Sequence, residues 1–211
     1  MKRIISLVVL GAIAMCVTAT DRFYIEDFAI LPGETRTVSI LLDNEVTYTA
    51  FQGDLYLPEG LSTDEVSFDL TERKHSNHTF TVSEFPDGFY RLMSYSVKLK
   101  TFSGNNGALV TFDVTASHDF SGPVIITLRN TLFTTEEGEE IPFDVEECTV
   151  SLRCDVNCDG DVNIADVTDL IDYLLGSEFS PFNSVAADVD CDGIINIADV
   201  TALIDLLLGR N

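Results

Sequence analysis

Asp155 to Gly176 reads DVNCDGDVNIADVTDLIDYLLG, and Asp188 to Gly209 reads DVDCDGIINIADVTALIDLLLG. The two phrases agree at 17 of 22 positions and lie 33 residues apart, so one small unit is written twice. Each opens with oxygen-bearing side chains at alternate positions, turns at a Gly in sixth place, and then changes period. Val167, Leu170, Ile171, Leu174 and Leu175 keep the i, i+3, i+4, i+7, i+8 spacing of an amphipathic helix, and Val200, Leu203, Ile204, Leu207 and Leu208 repeat it. Gly176 and Gly209 stand where helices end on Gly.

A tight loop that aims oxygens inward from positions 1, 3, 5 and 12, with Gly at 6, has the pattern of an EF-hand calcium loop. In the first copy these are Asp155, Asn157, Asp159 and Asp166, with Gly160 at the turn; in the second they are Asp188, Asp190, Asp192 and Asp199, with Gly193. Position 7 supplies a backbone carbonyl, so Asp161 and Ile194 are free to differ, and position 9, Asn163 and Asn196, ligates directly or through water. Two Ca2+ sites are expected. Position 12 is Asp rather than the usual Glu. The entering helix of a full EF-hand is missing, because Cys148 to Arg153 reads as strand.

A doubled loop with only an exiting helix resembles the type I dockerin, built of two half EF-hands (F-hands), over about residues 154 to 210; residues 153–211 are assigned to that unit. The resemblance implies a small all-α module whose partner is a cohesin. It also implies that contacts come from loop positions 10 and 11, here Ile164, Ala165, Ile197 and Ala198, and from the helix after them. Near-identity of the copies implies that either helix can face the partner after a half-turn rotation.

Residues 21–152 have strand character. Thr37-Val38-Ser39-Ile40 and Gly53-Asp54-Leu55-Tyr56-Leu57 alternate as half-buried strands do, and Phe89–Val97, Ala108–Thr115, Val124–Leu128 and Ile141–Val145 lie between turn signals such as Pro86-Asp87-Gly88 and Glu136-Glu137-Gly138. An all-β jelly-roll sandwich is expected. The phrases ILPGETRTVSILLDN, YTAFQGDLYLPEGLS, YRLMSYSV and NNGALVTFDVTAS resemble the cohesin-like domains found beside dockerins in secreted proteins of gut Bacteroidetes. Two residues separate this sandwich from Asp155, too few to swing a domain. The helical unit is therefore expected against one end of the sandwich.

Residues 1–20 carry Lys2 and Arg3, an apolar run and a small-residue end at Ala19, the layout of a secretory leader. Lipidation at Cys16 is disfavoured because Met15 precedes it. Secretion or a bacterial cell-surface location follows, and no other apolar run approaches a membrane span. The formal charge of −23, with 35 acidic and 12 basic residues, argues against nucleic acid. Cys148, Cys154, Cys158 and Cys191 allow three complete disulfide pairings. His75, His78 and His118 are read as surface residues and are not clustered with the cysteines. The run Glu136, Glu137, Glu139, Glu140 is a solvated hairpin tip rather than a catalytic pair, and no enzymatic constellation is found. Sugar binding needs exposed ring faces; the chain has no Trp, which leaves Phe51, Tyr90 and Tyr95 as candidates.

The sequence thus points to a secreted, calcium-dependent protein-interaction chain of a polysaccharide-degrading system. Two alternatives use the same residues: a carbohydrate-binding accessory protein, and a structural surface protein with a calcium-stabilised mini-domain.

Overall fold

The structure, a computed structural model, describes residues 21–177 and 180–210. The expected leader and Cys16 lie outside the described residues. Numbered along the chain, the strands are β1 (Arg22–Tyr24), β2 (Phe28–Ile30), β3 (Thr35–Asp43), β4 (Tyr48–Tyr56), β5 (Leu61–Ser62) and β6 (Asp69–Leu70). They continue as β7 (His78–Phe85), β8 (Phe89–Ser96), β9 (Ala108–Ala116), β10 (Val124–Thr135), β11 (Glu140–Pro142) and β12 (Glu146–Leu152). One sheet runs β1-β3-β9-β5 with β6 also on β9, and the other runs β2-β12-β10-β4-β8-β7 with β11 on β10. All pairings are antiparallel except β2 with β12, where Phe28 lies opposite Val150.

The period-2 alternation builds the core. Val38, Ile40 and Leu42 point inward from β3, with Val38 opposite Phe112 and Ile40 opposite Val110 on β9. From the facing sheet come Phe51, Leu55, Leu92, Ile126, Leu128 and Val150, all buried in the same cluster. Phe133 is its hub: the ring lies 5.2 Å from Phe23, 5.4 Å from Phe51, 4.9 Å from Tyr48 and 4.5 Å from Phe143.

Several elements depart from the sequence expectation. β10 does not stop at Leu128 but continues to Thr135. It passes through a register shift between Arg129 and Leu132, where Asn130 takes a left-handed φ of 53°. A bulge of this kind breaks the alternation and reads as a strand end. Asp54 lies on the outer face of β4 yet is 1% exposed. Arg91 covers it with two bonds of 2.6 and 2.8 Å and Asn130 adds one of 2.9 Å. Burial alone would raise this carboxyl, but the hydrogen bonds from Arg91 and Asn130 prevail and hold it below its usual range. The stabilisation is therefore present above the unfolded carboxylate range and is lost as pH falls through the lowered value.

Of the three candidate rings for sugar binding, one is exposed. Phe51 is buried, Tyr90 is half-buried against Phe68, and Tyr95 is exposed. Tyr56, Phe89 and Phe85 stack on one another at 5.0 and 4.8 Å, with Arg129 over the Tyr56 ring and Arg91 over Phe85. Their faces are spent on each other and on guanidinium groups. His78 is not a simple surface residue either, because its ring stacks on Phe102 at 4.1 Å and burial pushes its pKa down. The acidic run does sit at the turn between β10 and β11, with the four glutamates solvent-facing.

Phe133→Ala should destabilise the sandwich by about 3–5 kcal/mol, the usual cost of truncating a buried aromatic. Val66→Ala, at an exposed site, should change stability by less than about 0.5 kcal/mol. Denaturant unfolding of both variants checks the contrast.

Candidate metal centres

Three helices follow the sandwich: α1 (Ile164–Leu174), α2 (Ser184–Ala187) and α3 (Ile197–Leu207). The first loop precedes α1 and the second precedes α3, and the backbone amides bond the same side-chain oxygens in both. Asp155 accepts from the Asp159 and Gly160 amides at 3.0 and 3.2 Å, and Asp188 accepts from Asp192 and Gly193 at 3.1 and 3.0 Å. Asn157 accepts from the Asp159 amide and Asp159 from that of Asp161; Asp190 and Asp192 accept from Asp192 and Ile194 in the same way. These bonds wrap the backbone around one point and turn the side-chain oxygens toward it. In the second loop the Asp188, Asp190 and Asp192 oxygens lie within 4.8 Å of one another.

Position 12 does more than the sequence pattern suggests. Asp166, wholly buried, accepts from the Val156 amide with one oxygen and from the Asn163 amide with the other, each at 2.8 Å. Asp199 does the same with Val189 and Asn196, also at 2.8 Å. One carboxylate thus fastens the start of the loop to its end. It is also the third residue of the helix, where with Asn163 or Asn196 as N-cap it completes a capping box. Asn163 and Asn196 give their side-chain oxygens to the Ala165 and Ala198 amides at 2.8 Å. Their amide groups donate to the position 7 carbonyls of Asp161 and Ile194. The signal was in the sequence as the spacing Asn-x-x-Asp.

The helices close as expected at Gly176 and Gly209. Ser177 N–H reaches the Asp172 carbonyl and Gly176 N–H that of Tyr173, and Arg210 and Gly209 repeat the pattern on Asp205 and Leu206.

The apolar stripes are only half used. Val167, Leu170, Val200 and Leu203 are buried with Cys154, Val156, Ala187 and Val189 in a small core of their own. Ile171, Leu175, Ile204, Leu207 and Leu208, expected on the same buried face, are exposed. Each short helix has mainly its twin to pack against, and the stripe is wider than that contact. Ile164 and Ile197 are each 70% exposed, with Ala165 half-buried and Ala198 exposed. Ile164, Ile171 and Leu175 share one open face, as do Ile197, Ile204 and Leu208.

The donor set fits a hard cation. Its oxygens are carboxylate and amide, clustered without neutralising partners inside the loops. Burial, with Asp166 and Asp159 nearby, raises the Asp155 carboxyl, and Asp190 is raised by desolvation and by its three acidic neighbours. Such crowding opposes closure of the empty loops and is relieved by a divalent ion.

The helical unit sits on the end of the sandwich without a linker. Arg153 N–H bonds the Ile30 carbonyl, Cys154 N–H bonds that of Ala186, and Arg153 pairs with Glu34 at 2.8 Å. Leu31 packs into the small core, and Val162 packs against both cores. Sequence reading anticipated the seat but none of its side chains.

Residues 153–208 match the family model of the Dockerin type I domain. No curated protein matches the chain. Among solved structures, the sixth cohesin of scaffoldin B from Acetivibrio cellulolyticus, crystallised in complex with a Cel5 dockerin mutant, is similar with a TM-score of 0.53. The identity is 14%, over 64% of this chain and 100% of that one. A non-cellulosomal cohesin from the archaeon Archaeoglobus fulgidus gives a TM-score of 0.50 at 11% identity, over 63% of this chain and 91% of that one. The C-terminal unit is a type I dockerin, the sandwich before it has the cohesin fold, and the chain carries a protein–protein interaction module.

The four described cysteines are free thiols. Burial pushes Cys148 and Cys154 up to about 12, while Cys158 and Cys191 are exposed. Brief alkylation of the native protein near neutral pH, read by peptide mass spectrometry, should label Cys158 and Cys191 and spare the other two until denaturant is added.

Proposed function

We propose that this chain is a secreted, calcium-dependent interaction protein whose C-terminal dockerin grips a cohesin-like domain on a partner, within an extracellular or cell-surface assembly that degrades polysaccharide. The observation that carries the reading is the pair of open apolar faces, headed by Ile164 and Ile197 at 70% exposure each, on helices that the loops hold in place. The solved cohesin of similar fold was itself crystallised with a dockerin.

Asp155, Asn157, Asp159 and Asp166 would hold one Ca2+, with the Asp161 carbonyl, and Asp188, Asp190, Asp192 and Asp199 the other, with that of Ile194. Asn163 and Asn196 cap the helices and would ligate at the ninth position directly or through water. The ions, when bound, supply the positive charge that lets these carboxylates sit together. The remaining work belongs to the protein: Asp166 and Asp199 fasten the loops, and Val167, Leu170, Val200 and Leu203 lock the helices. The partner face then presents Ile164, Ala165, Ile197 and Ala198 as a rigid surface. No step in this reading is catalytic. The stacked rings of Tyr56, Phe85 and Phe89 weigh against a sugar platform.

Each Ile buried on docking contributes about 1.5–3 kcal/mol. If either helix serves, Ile164→Asp or Ile197→Asp alone should weaken capture of a cohesin-bearing partner by only about twofold, and the double variant by more than about tenfold. Pull-down from the secretome in calcium, repeated with chelator, reads this. Equal capture by all three variants removes these faces from the function.

A further inference from the structure

The two loops are near-copies, yet among the described residues arginine side chains reach position 4 of only one of them. At loop position 4 of the second copy, Cys191 Sγ accepts from Arg153 Nη1 at 3.3 Å and from Arg36 Nη1 at 3.5 Å. Cys158, its counterpart in the first loop, makes no hydrogen bond among the described residues. A cavity of about 300 Å3 has Arg36 of β3 and Asp188, the first ligand position of the second loop, in its lining.

The two guanidinium groups differ in how their charge is met. Arg153 is paired with Glu34 at 2.8 Å. Arg36 donates to the Ala29 carbonyl at 3.0 Å and lies 5.8 Å over the Phe28 ring. Among the described residues it forms no salt bridge, although Asp27 lines the same cavity, so much of its positive charge stands unpaired beside the second loop. By ligand count that loop should be the tighter of the two, since Asp190 replaces Asn157 and carboxylate number raises calcium affinity. A nearby cation without a salt-bridge partner acts against a divalent ion, and the effect is large only where salt does not screen it.

We propose that Arg36, reaching from the sandwich, lowers the calcium affinity of the second loop below that of the first and so links ion occupancy to the seating of the helical unit. The inference rests on the calcium reading above. Once the first loop is filled and the helical unit is folded, linkage is reciprocal: calcium in the second loop weakens the hold of Arg36 on Cys191 by the same factor that Arg36 weakens calcium. The first loop, with no such cation, fills first and independently of the sandwich.

Calorimetric titration of the calcium-stripped full chain tests this at low ionic strength. The wild type should bind two ions in two steps, and Asp188→Asn should remove the weaker step. Arg36→Gln should tighten the weaker step about fivefold and leave the stronger one unchanged, and the gain should vanish in about 1 M salt. Arg36→Lys, which keeps the charge, should behave as wild type. The inference is overturned if Arg36→Gln leaves the second step unchanged or weakens it, or if Arg36→Lys tightens it as much as Arg36→Gln. Those outcomes leave the calcium reading standing, whereas a wild-type chain that takes up no calcium overturns both.

Discussion

Two buried carboxylates, Asp166 and Asp199, hold the C-terminal helical unit together. Each bonds the amide at loop position 2 and the amide at position 9, so the loop cannot open without stripping the cap from the helix behind it. A carboxylate at position 12 is usually regarded as a metal ligand only. Here its shortness matters, because Asp at the third helical position reaches back to the N-cap while its second oxygen reaches the far end of the loop. Loop closure and helix initiation become one event, which suits 11-residue helices that are too short to stand alone in water.

That coupling also explains why so much apolar surface remains outside. Val167, Leu170, Val200 and Leu203 suffice to hold two short helices against each other, and Ile164, Ile171, Ile197 and Ile204 are left free on the open faces. A surface of this kind is tolerable when it is the site of docking. The sandwich supplies the opposite property: a deep aromatic core around Phe133 and a fixed end on which the helical unit sits through Arg153, Glu34 and Leu31. The seat leaves the two Ile-led faces open.

The repeated phrase made the two loops, the helices and their Gly ends legible, because the spacing of oxygen-bearing side chains and the helical period are local properties of the chain. The sandwich class was legible from alternation and turn residues, as in β3 and β9. Non-local geometry was not. The bulge at Asn130 hid the second half of β10, and the partnership of Asp54 with Arg91 put a charge on a face that its pattern marked as solvated. The outward turn of Ile171 and Leu175 depends on how little surface the twin helix offers. Arg36 lies 155 residues from Cys191, and no sequence pattern joins them.

The central claim is that divalent ions fold the dockerin while the sandwich folds by its own core. Scanning calorimetry of the full chain, with calcium and after chelation, tests it most directly. With calcium, residues 154–210 should melt as an ordered unit alongside the sandwich; after chelation their transition should disappear while that of the sandwich is retained. A melting profile unchanged by chelator would contradict the account.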